Sequence, residues 1–378
     1  MSAVAPIPTT VPTKVHDGTG TAWRRARYAL YAAIVWIAMI GATEVGLRLF
    51  GMGPPRARDL PDRYSKFAPD DELIWVLKPD WDGFERNDVR VHHNSLGLRG
   101  PDPAADAGDQ QRIVFLGDSV TFGHFLPFSV TLPHLLQQNL SSSNELKVEV
   151  INAGVPGYST FQEAGLLRRH GKTLKPDLIL LGFCMNDITE RYRALAAYGG
   201  ADFFMVDVDT TVGMSVLRRG WRRSAIRSAL VKMLRTSAKS GEASRLQNLF
   251  TASTTQQVQD DWQVAYKELD QLADEARLIG APLAVVIYPI RPQMQVKSGL
   301  NAPQAALIRY LAPRGIPFID LLEPLRNAQS DDIFLDVTHL SELGSRVAAA
   351  EIAKFIRTGG LLPDRLPLKQ SPPRSGGQ

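Results

Sequence analysis

Five short apolar runs punctuate the chain beyond residue 111: IVFL at 113, VEVI at 148, LILLGF at 178, LAVVIY at 283 and PFIDL at 317. Between them, near 129–141, 160–173, 256–279, 302–312 and 341–357, apolar residues recur every three or four positions. A run that is apolar throughout suits a strand covered on both faces, and the three-to-four period suits a helix with one buried stripe. Strands alternating with helices predict an α/β fold with a central parallel sheet between helical layers. Right-handed crossovers then place ligand chemistry beyond the C-terminal ends of the strands.

The ends of the chain follow other patterns. Residues 1–22 are rich in Pro, Thr, Ala and Gly without an apolar period, and the stretch from Leu366 onward (LPLKQSPPRSGGQ) is similar. Residues 1–27 and 361–378 are therefore expected to be disordered tails. Residues 28–43, YALYAAIVWIAMIGAT, carry no charge, and the run continues past Glu44 and Arg48 to Phe50. A bilayer needs roughly 20 apolar residues as helix, so 28–50 is predicted to be one N-terminal transmembrane helix, with Glu44 and Arg48 paired near an interface. Arg24, Arg25 and Arg27 precede it, which places the N-terminus in the cytoplasm and the remainder outside, against a weaker opposing pair, Arg56 and Arg58. The competing reading is a cleaved signal peptide. The leader before the apolar run is long for that and no small-x-small site follows, so an uncleaved single-pass anchor in the cytoplasmic (inner) membrane of a bacterium is expected. Residues 51–110 read as a Gly/Pro-punctuated linker and lead-in, and 111–360 as the main domain.

Composition is that of a globular chain, 44% hydrophobic and 22% charged with a formal net charge of +4. The basic excess is uneven. Between Met214 and Lys239 lie Arg218, Arg219, Arg222, Arg223, Arg227, Lys232, Arg235 and Lys239 without one acidic residue, interleaved with Leu217, Trp221, Ile226, Leu230, Met233 and Leu234. This predicts a basic helical insertion at about 190–250, either a solvated cap or a surface that meets anionic lipid or an anionic polymer. Nucleic acid is not an expected partner of an exported domain. A lone cysteine, Cys184, rules out an intrachain disulfide and reads as a small packed residue at a strand end. No nucleotide-binding loop, HExxH or Cys/His set is present, and His92 and His93 are adjacent, so their side chains diverge in regular structure. No metal or cofactor is implied.

Two motifs point to chemistry. In FLGDSVTFG at 115–123 a serine follows directly on a strand. Gly117 permits a sharp turn there, and Ser119 would stand at the sheet edge beside unpaired N–H groups, although Asp118 and Ser119 are also ordinary helix caps. In FLDVTHLS at 334–341 a histidine follows a carboxylate by three positions. His339 is a suitable base for a serine near neutral pH, and Asp336 at i−3 can accept its Nδ1 hydrogen and aim Nε2 outward. Between these, Gly154 in INAGVPGY and Asn186 in FCMND each follow a strand. With the Ser119 N–H, the Gly154 N–H and the Asn186 amide would form an oxyanion hole, each otherwise being a loop residue chosen for its turn.

In that order Ser119, Gly154, Asn186 and Asp336-x-x-His339 resemble the sequence blocks of the SGNH hydrolases, also called GDSL esterases, over about 112–358. GDSVTFG, NAGVPGYS and DVTH match well, whereas the third block, usually Gly-x-Asn-Asp, has Cys184 in the glycine place. The lead-in NSLGLRG is similar to segments of membrane-anchored bacterial members. The resemblance implies a flavodoxin-like α/β/α sandwich and acyl chemistry through an acyl-serine. Joined to the predicted anchor, it implies an esterase acting on O-acyl, foremost O-acetyl, groups of envelope or exopolysaccharide glycans. Acyl transfer by the same triad, and a non-catalytic glycan-binding or scaffold role, are the alternatives.

Overall fold

The computed structural model describes residues 18–50, 64–188 with gaps at 69–72, 74, 86–87, 106–107, 109, 143–146 and 186, residues 224, 226, 249 and 250, and 255–363 with a gap at 296–299. The chain divides into two compact units, residues 1–54 with 210–230 and residues 55–209 with 231–378. The basic insertion expected at about 190–250 lies outside the described residues apart from Ser224, Ile226, Leu249 and Phe250.

In the smaller unit, helix α1 (Gly18–Leu49) begins ten residues before the predicted start and takes Arg24, Arg25 and Arg27 into its first turns. Its segment Trp23–Leu49 has a mean hydropathy of 1.7 over a long apolar window. At 1.5 Å per residue those 27 residues reach about 40 Å, enough by length and composition to cross a bilayer core of roughly 30 Å. The apolar side chains are bare, Ile37 being 70% exposed. Arg48 and Glu44 form the expected i,i+4 ion pair at 2.8 Å, and the Ile226 N–H donates to Glu44 Oε2 at 3.1 Å.

The larger unit is built on five parallel strands in the order β6-β5-β7-β8-β9, where β5 is Gln111–Gly117, β6 Val148–Gly154, β7 Leu178–Phe183, β8 Leu283–Ile287 and β9 Phe318–Asp320. This order, second strand first, is that of a flavodoxin-like sheet, and the connection reverses direction beside β5. Every residue of β5, β7 and β8 is buried. Alternation along each strand divides them between two cores. Val114, Leu116, Ile179 and Leu181 face one side with α4 (Thr160–Leu174), α5 (Gln256–Ile279) and α6 (Ala302–Leu311). Ile113, Phe115, Leu178 and Leu180 face the other with α3 (Leu132–Ser141), α7 (Leu322–Asn327) and α8 (Glu342–Thr358). Each such aliphatic side chain contributes about 1.5–3 kcal/mol when removed from water, so a sheet with two apolar faces must be a sandwich. Helix α3 starts at Leu132 instead of the expected 129, since residues 128–130 form a 3-10 turn and Pro133 occupies the first helical turn, where its missing N–H has no consequence.

The lead-in is structured. Antiparallel pairs β1 (Ser65–Phe67) with β2 (Trp75–Leu77) and β3 (Asp82–Phe84) with β4 (Arg90–His92) place Tyr64, Trp75, Leu77, Val91 and Leu98 in the first core. Hydrogen bonds from Tyr158 Oη to the Trp75 carbonyl at 2.5 Å and from Gln162 Nε2 to that of Leu73 at 2.9 Å fasten it to α4 and the turn before it.

Candidate active site

The serine turn follows from one glycine and one cap. Gly117 ends β5 at φ +154°, and a Cβ there would fall 2.0 Å from Thr121 Oγ1, so no other residue fits without displacing that side chain. Asp118 then caps the single-turn helix α2 (Ser119–Phe122) by accepting the Val120 N–H at 2.8 Å. The capping and nucleophile readings of this sequence are therefore compatible: Asp118 caps, and Ser119 is the first helical residue, its hydroxyl beyond the C-terminal end of β5. The Ser119 N–H meets no acceptor among the described residues.

The partner segment comes from the far end of the chain. Residues 335–338 form a bend between Phe334 and Leu340, which bridge each other, and the Val337 carbonyl accepts the Arg291 N–H at 2.8 Å. Asp336 Oδ1 accepts the backbone N–H groups of Thr338 and His339 at 2.9 and 2.8 Å, and Oδ2 lies 2.7 Å from His339 Nδ1. Burial raises the Asp336 carboxyl, but the hydrogen bonds from His339 and Thr338 outweigh it and hold the group below the usual carboxylate range. An ionised Asp336 accepts a hydrogen bond from Nδ1–H, which leaves the ring's lone pair on Nε2. That atom stands 2.9 Å from Ser119 Oγ. The fold thus joins Ser119, His339 and Asp336 in a continuous chain able to remove the serine proton and return it to a leaving oxygen.

Gly154 is placed differently from the expectation. Its N–H donates to Asn152 Oδ1 at 3.1 Å, and a Cβ on it would lie 2.3 Å from the Phe122 nitrogen. The glycine is needed because β6 packs backbone to backbone against α2, and its N–H is already engaged. The turn leaving β6 does offer an N–H at Gly157, half-exposed at φ +78° and without an acceptor among the described residues. Asn186 lies outside the described residues. Cys184 is fully buried in the second core, as expected.

The lead-in contributes groups that sequence patterns did not reveal. Arg99, 2% exposed, donates to the carbonyl oxygens of Phe122 and Gly123 at 2.8 Å and of Leu126 at 2.6 Å. Burial draws its pKa down to about 10, opposed by Glu85, and it remains a cation. Glu85 accepts the Phe125 N–H at 3.1 Å and pairs with His124 Nδ1 at 3.2 Å, and Tyr64 Oη donates to Glu85 Oε1 at 3.2 Å. Burial raises the Glu85 carboxyl, yet His124, the Phe125 N–H and Arg99 together bring it below its ordinary value. The His124 ring lies 5.4 Å from that of His339, and the Phe125 ring 5.3 Å from it. His124, five places after Ser119, could have been noticed in the sequence; Arg99 stands in the lead-in segment NSLGLRG, which gives no sign of its contacts, and Glu85 carries no local signal.

With this geometry established, comparison with known proteins gives the class. The GDSL-like lipase/acylhydrolase family matches residues 115–347, well over half of the chain, and the chain belongs to that family. It is an SGNH-type serine hydrolase. The family match begins beyond the lead-in that supplies Glu85 and Arg99. Among solved structures the chain is similar to a lipolytic G-D-S-L family protein of Veillonella parvula, with 16% identity and a TM-score of 0.39 over 65% of this chain and 97% of that one. It is also similar to a lipase/acylhydrolase of Enterococcus faecalis, with 18% identity and a TM-score of 0.40 over 68% and 100%. A third similarity is to a mutant acetyl-xylooligosaccharide esterase of Geobacillus Stearmophilus, with 12% identity and a TM-score of 0.39 over 66% and 95%. No curated protein matches the chain.

Proposed function

We propose that this hydrolase removes small O-acyl groups, acetyl foremost, from cell-envelope or exopolysaccharide glycans, and that Ser119, His339 and Asp336 are its catalytic triad. One observation carries the reading: His339 hydrogen-bonds Ser119 through Nε2 at 2.9 Å and Asp336 through Nδ1 at 2.7 Å. Ser119 Oγ attacks the ester carbonyl carbon while its proton passes to His339 Nε2. Collapse of the tetrahedral adduct breaks the bond to the alcohol oxygen, which takes that proton. Water then adds to the acyl-serine by the same route and restores Ser119. Negative charge on the carbonyl oxygen meets the N–H of Ser119, with the Gly157 N–H in place of Gly154 and the Asn186 amide as the third donor; one such donor lowers the barrier by about 3–4 kcal/mol. The site in this reading lies outside the cytoplasm, with α1 as its anchor in the inner membrane of a bacterium. The cations between Met214 and Lys239 add attraction to anionic lipid or polymer.

The test is hydrolysis of acetyl esters by native protein and variants, with fluorophosphonate labelling of the serine. Ser119→Ala is expected to lose all labelling and about 10⁴–10⁶-fold in kcat, and His339→Ala to behave alike. Asp336→Asn is expected to lose up to roughly 10⁴-fold. An Ser119→Ala protein that keeps a tenth of native activity overturns the assignment.

A further inference from the structure

His124 stands beside the triad without belonging to it. It follows α2 in a loop inside the family-matched region, and Arg99 and Glu85, which precede that region, fasten the loop. Its Nδ1 faces Glu85 Oε1 at 3.2 Å and Tyr64 Oη at 3.4 Å. The Glu85 side chain is 2% exposed, so its carboxylate is a fixed acceptor, and the Phe125 N–H and Tyr64 Oη bind it as well. A carboxylate at Nδ1 fixes the ring orientation and the tautomer, as Asp336 does for His339. The other ring nitrogen, Nε2, has no partner among the described residues, and the side chain is 16% exposed, much as His339 is at 17%. Two carboxylate-held imidazoles thus stand side by side, with ring centres 5.4 Å apart.

We infer that His124 is a specificity-determining residue that hydrogen-bonds a hydroxyl on the alcohol half of the substrate, and that the site therefore selects esters of polyhydroxylated alcohols such as sugars. The inference rests on the reading of Ser119, His339 and Asp336 as the acyl-transfer triad. In that reaction the departing oxygen must receive a proton from His339 Nε2, so the alcohol lies against His339 and hence beside His124. A hydroxyl on the next carbon of that alcohol then reaches the edge of the neighbouring ring, where His124 Nε2 accepts its hydrogen. A simple alkyl alcohol leaves the same nitrogen desolvated and unpaired. A site built to pair a substrate hydroxyl discriminates against the analogue without one for that reason. Phe125, whose ring centre is 4.0 Å from that of His124 and 5.3 Å from that of His339, packs against both rings and helps to fix them.

The experiment uses the full chain and a nearly isosteric pair of substrates, 2-hydroxyethyl acetate and propyl acetate, which differ by a hydroxyl against a methyl. The ratio of their kcat/KM values is expected to fall about ten-fold from native protein to His124→Phe, which keeps the ring and removes the nitrogens. A change below two-fold overturns the proposal. Fluorophosphonate labelling of each variant reports whether Ser119 still reacts. Where His124→Phe does not fold, Glu85→Gln, which weakens the hold on His124, is expected to lower the ratio about three-fold. A measurement on native protein needs no variant: ethylene glycol should slow labelling at a lower concentration than propanol, and equal effects overturn the proposal. Native protein that neither labels nor hydrolyses either acetate removes the triad reading itself, whereas labelling with an unmoved ratio removes only the role of His124.

Discussion

Arg99 holds the carbonyl oxygen of Phe122 at 2.8 Å while its guanidinium lies 4.5 Å from the centre of the Phe122 ring. Phe122 ends the helical turn that begins at Ser119, so a cation in the lead-in fixes the far end of the turn that carries Ser119. The same carbonyl accepts Asn152 Nδ2 at 3.1 Å, which joins β6 to the arrangement. Removing Arg99 would leave three buried carbonyl oxygens without their charged donor. Arg99→Ala is expected to destabilise the larger unit by about 3–5 kcal/mol and to slow fluorophosphonate labelling beyond what the unfolded fraction explains. Arg99→Lys should recover only part of this, because an ammonium cannot reproduce the planar fork. Urea midpoints within about 1 kcal/mol of native would show that the loop holds itself.

Gly154 and Gly157 are separable by stability against turnover. A Cβ at Gly154 meets the Phe122 nitrogen at 2.3 Å and its Cα at 2.8 Å, and backbone atoms cannot step aside as a flexible side chain would. Gly154→Ala is expected to cost about 1–3 kcal/mol and to lose activity in step with folded protein. At Gly157 a Cβ would meet the Trp75 ring at an ordinary 3.4 Å, leaving mainly the penalty of the left-handed backbone, about 1–2 kcal/mol. Gly157→Ala should therefore remain folded at low temperature with a reduced kcat, since its N–H is moved. A drop in kcat for Gly154→Ala at unchanged melting temperature would restore Gly154 as the donor.

Most of the sandwich could be read from the chain because its signals are local and redundant. The apolar runs at 113, 178 and 283 became strands buried on both faces, and the periodic stretch 256–279 became α5 with those bounds. Ser119, Asp336 and His339, which the fold joins by hydrogen bonds, could be singled out as candidates by a serine after a strand and a histidine three places after an aspartate. The strands and contacts of the lead-in were not legible. Its strands have three residues each, too few to show a period, and its chief contributions to the site are contacts between residues far apart in sequence: Arg99 to Phe122 across 23 positions and Glu85 to Phe125 across 40. Gly154 misled for a different reason. A glycine at a strand end signals close approach, but not of what, and here it is the backbone of α2.

The N-terminal helix makes a prediction about compartment. With Trp23–Leu49 as an uncleaved span, full-length protein should resist carbonate extraction and dissolve only with detergent. A reporter active only outside the cytoplasm, fused after residue 60, should be active, as the cations Arg24, Arg25 and Arg27 direct. Recovery of soluble protein with a new N-terminus near residues 45–55 would identify a signal sequence instead.

His93 makes the fold sensitive to acid, and the sign can be worked out. Its ring is buried among Tyr64, Trp81 and Phe122, with Nδ1 bonded to the Lys78 carbonyl at 3.1 Å and Nε2 without a partner among the described residues. Burial lowers its pKa from 6.5 to about 4, beyond what the bond to Lys78 restores, and the nearby Arg99 charge acts in the same direction. Because the folded value is depressed, the unfolded chain takes up this proton first as pH falls. Stability is therefore undiminished above about pH 6.5 and declines between there and pH 4, by about 2 kcal/mol at pH 5. His93→Phe keeps a ring in the same aromatic pocket and cannot titrate. It should be less stable than native at pH 7.5 by about 1 kcal/mol, for loss of the bond to Lys78, and should draw level with or pass native by pH 5. Comparing the two proteins removes the contributions of groups they share, including the buried Glu163, whose carboxyl is raised by burial and by Asp118 and Glu268. Denaturation curves at both pH values that shift in parallel would locate the acid sensitivity elsewhere.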